Sequence, residues 1–208
     1  MYDRNLGQPI GRRWALFTAG LLLLGVARLT RGAEPAATEK SVPANSEATQ
    51  VNIRVASWKD VQARVAAHKG SIVVIDAWST SCPPCLKELP NFVALHKKHH
   101  AAGVRCISFN CDFDGLPSQP PEHAREPVLK LLTRHGATCE NVLSNVALEK
   151  WLETVDLASI PAVFVYGRDG KLVKRFDNDS LKPGDEEFTY ANVTLLVEKL
   201  LKEPAAAP

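Results

Sequence analysis

The sequence has few cysteines, and their arrangement restricts the chemistry of the protein. Five occur among its 208 residues. Cys82 and Cys85 form the only C-x-x-C pair, while Cys106, Cys111 and Cys139 are scattered. A structural zinc site takes four ligands, and no second C-x-x-C is present to complete one. This absence favours a redox pair over half of a metal site or a purely structural disulfide.

Long apolar runs are also absent. Residues 14–27 are apolar and follow Arg12-Arg13, but the run is short for a membrane-spanning helix and fits the apolar region of a signal peptide. We therefore predict that residues 1–32 are a signal peptide or an uncleaved N-terminal anchor. Either would place the rest of the chain outside the cytoplasm, in the periplasm or an equivalent compartment. No cysteine follows the run closely, which argues against a lipoprotein anchor.

The charge is nearly balanced, with a formal net charge of +2. Nothing in the part of the chain predicted to fold indicates a nucleic-acid partner. Residues 33–52 lack large apolar side chains and periodicity, which predicts a disordered linker. Residues 53–203 are then one folded domain, and the Pro- and Ala-rich residues 204–208 a disordered tail.

Apolar runs alternate with segments of helical character, and this alternation predicts an α/β fold with a central mixed sheet and helices on both faces. The predicted strands are 72–77, 104–110, 162–166 and 171–177, with a short extended piece at 142–143. The predicted helices are 57–68, 83–101, 123–136, 146–153 and 188–201. Ser57 should cap the first helix with Asp60 in a capping box, and Pro90 should kink the second.

The pair Cys82-Cys85 lies where the apolar strand 72–77 is followed by a helix. Unpaired N–H groups and the helix dipole stabilise an anion at such a position, so the Cys82 thiol should ionise readily. Cys85, one turn further, can close a disulfide with it. Pro83 has no N–H and no positive charge to offer the thiolate. The pKa of Cys82 should therefore be less depressed than in strong oxidants, which favours a reductant.

Two acidic residues flank the dithiol. Asp76 lies in an otherwise apolar strand, and burial of a carboxyl group raises its pKa. Such an acid near a dithiol can accept and return the proton that moves during exchange. Glu88, one turn beyond Cys85, is either a second proton-handling group or a surface charge.

Residues 75–90, with the sequence IDAWSTSCPPCLKELP, and residues 159–166, with SIPAVFVY, resemble the two signatures of the thioredoxin superfamily. The resemblance extends over residues 53–203 and is strongest to the exported TlpA/ResA-type thiol–disulfide oxidoreductases. It implies a thioredoxin-like fold in which Cys82 attacks and Cys85 resolves. It also implies that Asp76 is the buried acid.

By the same resemblance, Glu88 is the acid of a C-x-x-C-x-x-E-x-P pattern. Pro161 is a cis-proline, and Ile160 pairs its backbone with the substrate. The candidate substrate-binding residues are Trp78, Pro83, Ile160 and Pro161. Trp78 is included because it precedes the dithiol, and it either lines the groove there or packs in the core. Ser81 replaces a common Trp and Ile160 a common Thr, and these two departures leave the identity of the substrate open.

We therefore expect an exported protein-disulfide reductase that needs no cofactor and has no metal site. Its substrates would be protein disulfides, for example in apocytochrome c or another exported thiol protein, and a membrane electron donor would re-reduce it. The alternative is a soft-metal module that handles copper or zinc with the same pair. His96 and His100 share a helix face, but their surroundings favour a solvated surface over a metal site.

The remaining cysteines carry less information. Cys106 lies in the middle of a strand and should pack as a small apolar residue. Cys111 and Cys139 could form a disulfide in an oxidising compartment, but the sequence does not fix the pairing.

Overall fold

The computed structural model describes residues 50–204 apart from Ser180 and Pro183, and within them six strands form one mixed sheet. The strands are β1 (Arg54–Ala56), β2 (Ile72–Trp78), β3 (Val104–Asn110), β4 (Glu140–Ser144), β5 (Ala162–Tyr166) and β6 (Leu172–Phe176). Their spatial order is β1-β4-β3-β2-β5-β6. The first four strands in this order, β1, β4, β3 and β2, are parallel to one another. Strand β5 pairs antiparallel with β2, and β6 pairs antiparallel with β5. The predicted mixed sheet is confirmed.

Five α-helices connect and cover these strands in the described part of the chain. They are α1 (Trp58–Ala67), α2 (Pro83–His99), α3 (Arg125–His135), α4 (Leu148–Val155) and α5 (Tyr190–Lys202). The predicted capping box at α1 is confirmed, because Asp60 N–H donates to Ser57 Oγ at 3.2 Å and Ser57 N–H donates to Asp60 Oδ2 at 2.9 Å. Helix α2 runs on through Pro90, and the predicted kink there stays a prediction.

The sequence patterns did not predict β1, and they placed the start of the folded domain at residue 53, two residues too late. Strand β1 has three residues and pairs only with β4, so it is too short to show a periodicity. Val51 already packs against the core, and the Asn52 carbonyl accepts a hydrogen bond of 3.0 Å from Asn141 Nδ2. These two residues were expected in the linker. Predictions for residues 1–49 and 205–208 lie outside the described residues.

The sheet separates two apolar layers. Alternate side chains of β2 point to opposite faces, with Val74 and Trp78 toward α2, α3 and α5, and Val73 and Ile75 toward α1 and α4. Asp76 shares the parity of Val74, so its carboxyl group faces the layer that contains α2 and α5. This parity places the acid on the same face as the cysteine pair at the start of α2.

The aromatic residues of the second layer pack against one another. Trp58 contacts Trp151 and Phe109 with ring centroids 5.5 and 5.2 Å apart. Both tryptophans are buried, so they are packing residues. In the described part of the chain, no helix combines the length and the apolar character that crossing a bilayer would require.

The three cysteines outside the C-x-x-C pair are buried and free. Cys106 packs in the layer with α2 and α5, which confirms the prediction for it. Cys139 belongs to the same layer, whereas Cys111 lies in the opposite one. A Cys111–Cys139 disulfide is therefore wrong, because the sheet separates the two side chains. Burial raises the pKa of all three thiols, so none is a ready thiolate.

Candidate active site

Cys82 and Cys85 form a disulfide at the junction between β2 and α2. Cys82 is the N-cap residue of α2, and its Sγ accepts a hydrogen bond of 3.3 Å from the Cys85 backbone N–H. The two sulfur atoms are 2.03 Å apart. Cys82 is 9% exposed and Cys85 is 2% exposed. The more accessible sulfur thus lies at the helix N-terminus, where a thiolate is stabilised, and the less accessible one lies within the first turn.

The Ile160–Pro161 peptide bond is cis, as the resemblance implied. The carbonyl oxygen of Ile160 lies 3.8 Å from Cys82 Sγ. The antiparallel pairing of β5 with β2, in register from Ala162 with Ala77, holds this bond next to the dithiol. Ile160 and Pro161 are half-buried and Pro83 is exposed. Together they form an accessible rim around Cys82.

The Asp76 carboxyl group is buried beneath the dithiol and is 4% exposed. Asp76 pairs with Ser108 on β3 and with Val163 on β5, so the residue lies in the middle of the sheet. Burial, with a smaller contribution from the Glu88 carboxylate, raises the pKa of Asp76 to about 7. The Tyr190 hydroxyl acts in the opposite direction. An acid that titrates near neutral pH can both take up and release a proton under physiological conditions.

Glu88 is neither a free surface charge nor isolated from the site. Its Oε2 accepts a hydrogen bond of 2.9 Å from the backbone N–H of Tyr190, the first residue of α5, and one of 3.2 Å from Asn91 Nδ2. Because a carboxylate at a helix N-terminus is stabilised by the N–H groups there, Glu88 joins α2 to α5. The structure thus brings Glu88 within electrostatic range of Asp76.

The expectation that Trp78 lines the substrate groove is wrong. The side chain is fully buried, and its Nε1–H donates a hydrogen bond of 2.7 Å to Ser108 Oγ. Trp78 is the last residue of β2 and points into the layer with Cys82 and Cys85. Its strand position directs it inward, so it supports the dithiol from below and offers no surface to a partner.

Asp112 is a site residue that the sequence patterns did not indicate. It follows β3, and its carboxylate accepts hydrogen bonds from Thr80 N–H at 2.8 Å, Thr80 Oγ1 at 2.7 Å and Ser79 Oγ at 2.5 Å. Ser79 Oγ also lies 2.8 Å from Ser81 Oγ. Asp112 therefore fixes the loop that leads into Cys82. Its position at the carboxyl end of a parallel strand was the available signal.

A cavity of about 400 Å³ opens beside this loop. Its lining includes Thr80, Ser81, Asp112, Phe113 and Glu149. The rim next to Cys82 is thus polar on the side of Ser81. This polar rim and the apolar Ile160 lie near the same sulfur atom.

The histidines at the end of α2 do not form the solvated face that was expected. His96 and His99 are buried, and burial lowers the pKa of His96 to about 4. The rings of His96 and His100 are 5.0 Å apart. Within residues 50–204, apart from Ser180 and Pro183, no three potential ligands among His, Cys, Asp and Glu are grouped to hold a metal ion.

A dithiol at a strand–helix junction, opposite a cis-proline and above a buried acid, on a thioredoxin-like fold, defines a protein of the thiol–disulfide exchange class. The Redoxin family matches residues 43–194, and the chain belongs to this family.

Two relatives are thiol-disulfide oxidoreductases named ResA. The protein from Bacillus thuringiensis subsp. konkukian is 25% identical over 123 residues, which cover 58% of this chain and 62% of the relative. The protein from Bacillus subtilis is 23% identical over 138 residues, which cover 66% and 69%. The chain thus matches somewhat less than two thirds of the length of the first of these relatives.

One solved structure supports the fold. A thiol-disulfide isomerase from Corynebacterium glutamicum superposes with a TM-score of 0.51 at 17% identity, covering 67% of this chain and 86% of that one. At this level of identity the likeness concerns the arrangement of strands and helices alone.

Proposed function

We propose that this protein is a thiol–disulfide oxidoreductase that acts outside the cytoplasm and reduces disulfides of partner proteins. The observation that carries the proposal is the position of Cys82. It caps α2 and faces the carbonyl oxygen of Ile160, which belongs to the cis Ile160–Pro161 peptide bond. A partner peptide laid along Ile160 would bring its disulfide to the Cys82 sulfur. The names of the ResA relatives support the same chemistry.

The reaction proceeds in two exchange steps. The Cys82 thiolate attacks one sulfur of the partner disulfide, forms a mixed disulfide, and releases the other partner sulfur as a thiolate, which takes a proton from solvent. Cys85 then gives its proton to the Asp76 carboxylate and attacks Cys82 Sγ, which frees the second partner thiolate. The partner gains two electrons, and the dithiol becomes the Cys82–Cys85 disulfide. The Asp76 proton passes to the leaving thiolate or to solvent.

The residues around Cys82 support the proposed direction of electron flow. Pro83 supplies neither an N–H group nor a positive charge to the thiolate, so the reduced form lacks the extra stabilisation of strong oxidants. We infer that the protein acts as a reductant and that a membrane electron donor re-reduces its Cys82–Cys85 disulfide. Exported thiol proteins, among them apocytochrome c, are the substrates we propose.

Export rests on residues 1–32, in which Arg12-Arg13 precede the apolar run. Residues 33–49 would give the catalytic domain reach from an anchor or an exit site. Fractionation of cells that produce the full chain tests this part, and recovery of the folded protein in the cytoplasm alone would contradict it.

The activity itself is tested with insulin as a disulfide substrate and dithiothreitol as the reductant. The wild-type protein should accelerate reduction, Cys82→Ser should abolish the acceleration, and Cys106→Ser is the matched control because Cys106 is a buried core residue. Full activity of Cys82→Ser would overturn the site assignment. Purification with stoichiometric copper or zinc, together with no reductase activity, would instead support metal handling.

A further inference from the structure

Tyr190 acts on both acids of the candidate site through two different groups. It is the first residue of α5, and its backbone N–H donates to Glu88 Oε2 at 2.9 Å. Its side chain turns into the core, where it is 3% exposed and its ring packs against Phe92 with centroids 5.8 Å apart. The phenol enters the layer that the Asp76 carboxyl group faces and lowers the pKa of that group, although 114 positions separate the two residues in the sequence.

The Tyr190 hydroxyl is buried and makes no hydrogen bond of standard geometry with any described residue. It nevertheless lies near enough to the Asp76 carboxyl to lower its pKa. The other groups that face Asp76 are the Glu88 carboxylate from α2 and the thiols of Cys106 and Cys139 from β3 and the start of β4. None of these carries a positive charge, so the phenol is the group that can stabilise an ionised Asp76.

We propose that Tyr190 is a positioning residue for proton transfer, whose hydroxyl donates a hydrogen bond to the Asp76 carboxylate during the half-reaction in which Cys85 loses its proton. This inference rests on the proposed function, in which Asp76 takes the Cys85 proton. Tyr190 itself neither gains nor loses a proton. Burial keeps its phenol protonated, because the pKa of Tyr190 lies well above its usual range.

The physical reason is the cost of a buried charge. A protonated Asp76 carboxyl is neutral and tolerates the apolar layer, whereas the carboxylate needs a donor there. An orphaned hydroxyl beside the carboxyl can turn toward it when the charge appears, without any movement of the backbone. The backbone N–H of Tyr190 also donates a hydrogen bond to Glu88. Helix α5 therefore fixes the spacing between Glu88 and Asp76.

The direct test is the titration midpoint of Asp76 in the oxidised protein, followed by ¹³C NMR of carboxyl-labelled aspartate and assigned with Asp76→Asn. Tyr190→Phe keeps the ring and the backbone N–H but removes the hydroxyl. We expect its midpoint to move up by about one pH unit, the size of one hydrogen bond to a charged group. Tyr166→Phe is the matched control, because Tyr166 packs in the opposite layer.

The pH profile of insulin reduction gives a second readout. The Tyr190→Phe profile should move to higher pH, with a rate about fivefold lower at pH 7, because the ionised fraction of Asp76 falls by about that factor. This shift should vanish in the Asp76→Asn background. An Asp76 midpoint equal to that of the wild type would overturn the proposal. The midpoint is measured without turnover, so an inactive wild-type protein would contradict the proposed function and leave this test standing.

Replacement of tyrosine by 3-fluorotyrosine in the Tyr166→Phe background covers the case in which Tyr190→Phe does not fold. The fluorinated phenol is a stronger donor, so the Asp76 midpoint should move down. An unchanged midpoint in that protein would equally overturn the role of Tyr190.

Discussion

Cys82 Sγ and the carbonyl oxygen of Ile160 lie 3.8 Å apart, although 78 positions separate the two residues in the sequence. The contact exists because β5 pairs antiparallel with β2 and places the cis bond beside the first turn of α2. It joins the reactive sulfur to a strip of backbone that a partner peptide can use. The residues around the Cys82 sulfur and the Ile160 carbonyl oxygen should therefore determine which partner proteins the site accepts.

Asp76→Asn should stabilise the oxidised protein at alkaline pH. The pKa of Asp76 is about 7 in the folded state against 3.8 unfolded, so the folded state binds more protons between these values and stability falls as pH rises through that window. Asparagine removes this loss, which is worth at most about 4 kcal/mol. Urea unfolding should show a gain of at least about 1 kcal/mol at pH 9 and none at pH 4. Equal gains at both pH values would contradict the ionisation argument.

Asp112→Asn should weaken the loop before the dithiol. One carboxylate receives three hydrogen bonds from Ser79 and Thr80, and an amide can accept only part of them. We expect a loss of about 1–3 kcal/mol in unfolding free energy. Faster hydrogen exchange at residues 79–82 should accompany it. Asp114→Asn is the control, because Asp114 is exposed and contacts only its own turn through Leu116 N–H. Equal effects of the two substitutions would refute the role of Asp112.

Trp78→Phe should affect stability and leave substrate binding unchanged. The substitution leaves Ser108 Oγ without its 2.7 Å donor and opens space under the disulfide. A loss of about 2–4 kcal/mol is expected from thermal or urea unfolding. The KM for insulin should remain within about twofold of the wild-type value. A large rise in KM with unchanged stability would restore Trp78 to the substrate groove.

His96→Phe should flatten the loss of stability in acid. The pKa of His96 is about 4 in the folded protein and 6.5 unfolded, so the unfolded state binds more protons in this window and stability falls as pH drops through it. Phenylalanine has no such titration. Unfolding curves from pH 7 to pH 4 should therefore be less pH-dependent than those of the wild type. An exposed histidine, His123, provides the control through His123→Gln, and a matching effect there would disprove the assignment.

Local patterns revealed the chemistry of the site better than its surroundings. The strand before Cys82, the position of Asp76 in that strand, and the Ile160-Pro161 pair are short features that one segment can display, and the structure confirms the burial, the pairing and the cis bond. In the sequence, Tyr190 is one apolar position on its helix among several. Its role depends on contacts with distant strands that no local periodicity reports.

The errors have the same origin. Trp78 has the strand parity of Asp76, so its inward direction could have been derived, but its nearness to the dithiol suggested the groove. The Cys111–Cys139 disulfide failed because the sheet separates the two residues. Strand β1 pairs with β4 from across the sequence and is too short to carry a pattern.

The role of Cys82 as the attacking sulfur is decided by trapping. Reduced Cys85→Ala protein is mixed with insulin and quenched in acid, and intact mass spectrometry with peptide mapping locates any cross-link. We predict one adduct per chain through Cys82, because Cys85 is no longer available to release it and the other thiols are buried. No adduct, or an adduct at Cys106, Cys111 or Cys139, would contradict the proposed function.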